Sequence, residues 1–251
     1  MSFPEREASA IEVAFEPALV FLKTLLERPL DESCAKWTNY AVALGAAAIK
    51  AASTLWLLVR IDQHQGAATM AREVVELCAR FIYCMHHGKE SLSVGLQHEM
   101  KQLTTVQSVQ SDQKGYYWID VSAAINELQA LMKKLEVPSD PKPPSDCQYA
   151  EGMRESYGLL SLGAHSRPSA LMERYQTHLK TRVVSLMEPQ PRSYTDDYIR
   201  FAGNALYEAA HTYLTSHLVS PRDRDVLLPK LTSTCEPFAM KKILVTTPDA
   251  S

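Results

Sequence analysis

Glycine is scarce in this chain, with 9 among 251 residues. Phosphate-cradling loops and dinucleotide turns need closely spaced glycines, and neither a P-loop nor a G-x-G-x-x-G pattern is present. Cysteine is thin as well: Cys34, Cys78, Cys84, Cys147 and Cys235 are odd in number and form no C-x-x-C pair. That excludes a disulfide framework and offers no zinc-ligand spacing. It points to reduced thiols in a cytoplasmic protein, with no metal and no cofactor expected. Positive charge is not in excess either. The 26 Lys and Arg against 29 Asp and Glu leave a net charge of −3, which gives no electrostatic case for bulk nucleic-acid binding but leaves room for a local basic pocket. The N-terminal MSFPEREASAIEVAFE lacks a basic stretch followed by an apolar core, so it does not read as a secretory signal. Ala41–Val59 is the one stretch that could pass for a membrane span, but Lys50 sits at its centre and its first half is Ala-rich. A central Lys is costly in a bilayer, so a buried helix of a soluble bundle is the better reading and no membrane partner is expected.

What is present is helical pattern. Hydrophobic residues make up 46% and charged residues 22%, ordinary for a globular protein, and abundant alanine favours helix. A first helix is expected from Glu5 to Glu27, kinked or split by Pro17 and stopped by Pro29. A second runs from Glu32 to His64 behind a cap at Asp31 or Ser33, with Gly45 marking a close helix contact. A third starts near Gly66 and ends near His86–Gly88, where the histidines complement the helix dipole. A polar, peripheral fourth spans Glu90–Val109, and a fifth spans Val121–Leu135. Four prolines in Val137–Asp146 make that stretch a connection rather than a helix. Beyond it, Gln148–Ala164 reads as a sixth helix and Arg182–Leu186 as a short extended element. Tyr194–Val219 reads as a last helix capped by Thr195, followed by an irregular tail over 221–251. The expected fold is an all-α multi-helix bundle in a single domain over 1–251.

Two polar rows stand out. In GAATMAREVVELCARFIYCM, Met70, Val74, Leu77, Cys78, Phe81 and Met85 recur at helical spacing, while Arg72 and Glu76 fall on the other side. A helix apolar nearly all round is usually buried, so this Arg and Glu must be paired or must line a cavity. In YAEGMRESYGLLSLGAH, Arg154, Tyr157, Ser161 and His165 align on one face of an otherwise apolar helix. The two rows are natural complements. Either they form a hydrogen-bond network that fixes helix register, or they line a ligand or catalytic pocket.

The pattern G-x-x-x-x-A-R-x-x-x-E at Gly66–Glu76, followed by Y-x-x-L-S-x-x-x-H at Tyr157–His165, resembles a bacterial family of helical proteins known only as a domain of unknown function. Members of that family carry an Arg-Ser-Leu-Leu-Glu-like helix and a Tyr–Leu-Ser–His helix. Here the first reads REVVE, with Glu73 in place of the family's Ser. The resemblance covers about residues 41–218. It implies that Arg72, Glu76, Tyr157, Ser161 and His165 match the family pattern, and it supplies no activity. A looser similarity is to the HEPN proteins, all-helical nucleotide- or RNA-handling domains of bacterial defence and toxin systems. Their ribonucleases carry an Arg, then four to six residues, then a His. Arg80 and His86 have that spacing, but Phe81 stands where those enzymes usually place a polar residue.

Two function classes follow. The first is a binding or interaction module without catalysis, whose Arg154, Tyr157 and Ser161 contact a small ligand or a protein partner. The second is a metal-independent ribonuclease or nucleotide-acting enzyme, in which His165 moves the proton, Arg72 holds the phosphate and Glu76 supports them. RNA is then the partner, and a homodimer with two His sites facing one groove favours this reading. Glu208 and His211 have the Glu-x-x-His spacing of di-iron bundles, but no second copy exists, so a surface or structural pair is the better reading. Ser161 and His165 could form a nucleophile pair, but there is no nucleophile elbow.

Overall fold

The computed structural model describes residues 8–27, 36–61, 63–112, 121–134 and 192–239. Among them the fold is all-α, a set of packed helices with no strand. The expected sixth helix, the Pro-rich connection and the extended element at Arg182–Leu186 lie outside the described residues.

The chain divides into two compact units. The first contains residues 1–29, 42–82 and 149–251. Its helix α1 (Ala10–Leu26) begins with a capping box: Ser9 Oγ accepts from the Glu12 N–H, and the Glu12 carboxylate accepts from the Ser9 N–H. Pro17 sits inside α1 without ending it. The N–H it lacks would have bonded to Val13, a residue 63% exposed on the outer side of the helix, where water can serve the carbonyl instead. Helix α2 (Lys36–Arg60) packs closely on α1 at Gly45, where a Cβ would stand 2.7 Å from the Leu26 carbonyl oxygen. That is the close contact expected of this glycine. Trp56 of α2 lies 6.0 Å, centroid to centroid, from Phe15 of α1.

Helix α3 (His64–His87) is followed by Gly88 in the left-handed region at φ 55°, whose N–H bonds to the Cys84 carbonyl. Glycine adopts that conformation without a Cβ penalty, which is why the helix stops there.

The second unit contains residues 30–41 and 83–148. Helices α4 (Lys89–Asp112) and α5 (Val121–Lys134) pack on each other within it. Leu96, Val121, Ile125 and Leu128 are buried there, along with Ser91 and Ser93. Trp37 lies against Gly88, and its carbonyl accepts from the Cys84 thiol.

The last two helices belong to the first unit. Helix α6 (Arg192–Thr215) packs along α1 and buries Ile199, Ala202, Leu206, Ala210 and Leu214. It starts two residues earlier than expected, so Thr195 is not a cap but a fully buried residue inside the helix. The expected irregular tail is corrected over its first half. Helix α7 (Pro221–Cys235) and a short 3₁₀ turn at Glu236–Phe238 follow α6 directly. Pro221 begins this helix rather than breaking it, because a proline in the first turn forfeits only an N–H that has no helical partner. Ser220 caps the turn by accepting from the Asp223 N–H. Arg224 then donates to the Leu214 and Ser216 carbonyls, satisfying the end of α6. Phe238, 1% exposed, closes this layer edge-on against Phe15.

Candidate functional site

The polar row on α3 has a describable geometry. Ala67, Ala68, Ala71, Val74, Val75, Cys78, Phe81 and Ile82 are buried, so the helix is anchored along a broad apolar side. Thr69, Arg72, Glu73, Glu76 and Arg80 fall within an arc of about 100° on the other side. Thr69, Glu73 and Arg80 are exposed, and Arg72 and Glu76 are half-buried. The helix is therefore not polar-free around its circumference. Its charged residues form a line at the border between core and solvent.

Glu76 pairs with Arg80, one turn further on. Their side chains are 32% and 48% exposed, and the order Glu then Arg at i, i+4 is the favourable one. Such a solvent-facing pair contributes about 0.3–0.5 kcal/mol. Arg72 stands one turn before Glu76 and Arg80 one turn after it, giving a plus–minus–plus ladder on one helix. The Glu76–Arg80 spacing was readable in the sequence as a helical ion pair. It is masked there by the alternative pairing of Arg80 with His86, a residue that is exposed at the end of α3. His165, Arg154, Tyr157 and Ser161 lie outside the described residues.

A second cluster lies on α6. The rings of Tyr207 and His211 are 5.9 Å apart, and Glu208 is half-buried beside them. Burial pushes the Glu208 carboxyl above its ordinary range, partly offset by His211. Among the described residues no three His, Cys, Asp or Glu side chains converge as a metal site. Cys78, Cys84 and Cys235 are free and buried. Burial raises all three thiols, Cys235 to about 12, which keeps them protonated and unreactive. Sequence reading missed the contact between Ser9 and Asp196, which joins the start of α1 to α6 through a 2.6 Å hydrogen bond. Nothing in the local pattern of either helix signals a partner 187 positions away.

No family model, no curated protein and no solved structure matches the chain.

Proposed function

We propose that the protein is a helical binding module and that the charged line of α3 receives a small anionic ligand. The observation that carries this reading is the placement of Arg72 and Arg80 on either side of Glu76 along the polar side of an otherwise buried helix. A rigid helix holds the guanidiniums in fixed register, and a guanidinium recognises phosphate or carboxylate through paired donors. Glu76 fixes Arg80 by its ion pair. In this reading Arg154, Tyr157, Ser161 and His165 supply further polar contacts to the same ligand.

The test is a thermal-shift titration with inorganic phosphate and with a mononucleotide, on the wild type and on Arg72→Ala and Arg80→Ala. A ligand that binds only the folded state raises the melting temperature with concentration. Saturable stabilisation that both substitutions weaken about tenfold or more supports the site. No stabilisation by either probe removes it. Cleavage of RNA in the presence of chelator, lost in His165→Ala and Arg72→Ala, would replace it with the ribonuclease reading.

A further inference from the structure

The outer side of α2 is unlike that of the other helices. Its buried side faces inward through Leu44, Ala48, Ile49, Ala52, Leu55 and Val59. The side opposite is also poor in charge. Ala43, Ala47, Lys50, Thr54 and Leu57, with Ile61 in the turn that continues α2 by bonding its N–H to the Leu57 carbonyl, follow one another at steps of four, three, four, three and four, within about 40° of a single line along the helix. All six are exposed or half-buried, with Leu57 at 62% and Ile61 at 50%. This is the spacing with which one helix seats against another. It is hidden in the sequence because α2 is apolar all round, to the point of meeting the length and hydropathy of a membrane span.

The order of residues along this stripe is self-complementary. Turned end for end about its midpoint near residue 52, the stripe sets Ala43 opposite Ile61 and Ala47 opposite Leu57. Lys50 then stands opposite Thr54. Each layer pairs a small side chain with a large one, or an ammonium with a hydroxyl. A parallel arrangement would instead set alanine against alanine at one end, leucine and isoleucine against themselves at the other, and the two lysines face to face in one layer.

We propose that this stripe is a homodimer interface in which α2 packs antiparallel on α2 of a second copy. A two-fold axis makes the same patch meet itself, which is the commonest form of oligomer contact. The stripe extends about 27 Å at 1.5 Å per residue. A contact of that length buries on the order of 1,000 Å² in total, the lower edge of what a stable interface needs, so the dimer is weak and its population depends on concentration. The two Lys50 ammonium groups near the axis lower the affinity further, because each remains partly desolvated without a carboxylate partner on the stripe.

Sedimentation equilibrium from low micromolar to sub-millimolar protein tests the association. The wild type should pass from monomer to dimer. Leu57→Glu and Ile61→Glu should each weaken the dimer about tenfold or more, without loss of helicity or melting temperature, since both side chains are exposed in the monomer. Lys50→Met should strengthen it. Register is tested by oxidative crosslinking in a Cys34→Ser, Cys147→Ser background. A mixture of Ala47→Cys and Leu57→Cys chains should give crosslinked heterodimers, and either chain alone should give little. A monomer at every concentration, homotypic crosslinks at residue 57, or cosedimentation with zwitterionic lipid vesicles that Leu57→Glu abolishes would each overturn the proposal.

Discussion

Gly203 shows how strongly one residue can constrain this fold. A Cβ built there stands 2.5 Å from Cγ and 2.9 Å from Cβ of Phe238, atoms close to the backbone that cannot swing aside. Alanine normally favours a helix over glycine by about 1 kcal/mol. Here the overlap outweighs that gain, and Gly203→Ala should destabilise the protein by about 1–3 kcal/mol. Phe238→Ala removes a fully buried ring and should cost about 3–5 kcal/mol. In the double variant the overlap with the ring is gone and only the 2.9 Å approach of the two Cβ atoms remains, so the combined loss in urea denaturation should be smaller than the sum of the two. Strict additivity would mean that Phe238 does not press on Gly203 in solution. Glu208 makes a different residue-scale prediction. Its carboxyl titrates above the ordinary range because burial penalises the charged form. The folded state therefore holds the proton more tightly than the unfolded state. The associated stability is complete below the unfolded value of about 4.3 and is lost as pH rises through the raised folded value. Glu208→Gln should match the wild type in melting temperature at pH of about 4 and below, and exceed it at neutral pH. An equal difference at both ends would show that the effect is not ionisation.

At the scale of the element, α1 depends on its N-terminal cap more than on its interior. Pro17 costs a hydrogen bond on the solvent side, but Ser9 does three things at once. It caps α1, receives Glu12 in return and donates to Asp196 on α6. Ser9→Ala should therefore lose the cap, about 1 kcal/mol, and the charge-assisted bond, a further 1.5–3 kcal/mol as an order-of-magnitude figure. A double-mutant cycle with Asp196→Ala separates the two, because only the bond to Asp196 appears as coupling. The same elements show what sequence can reveal. Helices α1 to α5 announced themselves by periodicity, and the stop at Gly88 by its residue type. Helix α7 did not, because a tail that starts at Pro221 and contains Pro229 and Pro237 reads as irregular. The positions of Pro221 and Pro229 make them tolerable: one lies in the first turn, and the other is exposed four residues after the exposed Asp225. The placement of Arg72 and Glu76 together on one side of α3 was legible in the sequence. Its depth was not, because burial of a charge depends on neighbouring elements that periodicity does not specify.

At the scale of the whole molecule, burial among the described residues is unevenly shared between the two units. Every large side chain below 2% exposure among the described residues belongs to the first unit, among them Phe15, Leu22, Leu55, Ile82, Ile199, Leu206, Leu214, Leu231 and Phe238. Among the described residues of the second unit, the buried apolar side chains of α4 and α5 are Leu96, Val121, Ile125 and Leu128, each 4–9% exposed, and α4 carries two buried serines. Full burial of a large apolar side chain contributes about 1.5–3 kcal/mol, so among the described residues the larger hydrophobic stabilisation falls in the first unit. Units that differ this way open at different free energies, and amide exchange reports the difference directly. Under native conditions the central amides of α1 and α6 should exchange only through global unfolding, with protection that falls linearly with urea at the full slope. The amides of α4 and α5 should exchange at least about tenfold faster in the absence of urea, through an opening with a shallower slope that exposes less surface. Equal protection and equal slopes in α4, α5 and α6 would instead mean that the chain unfolds as one cooperative block.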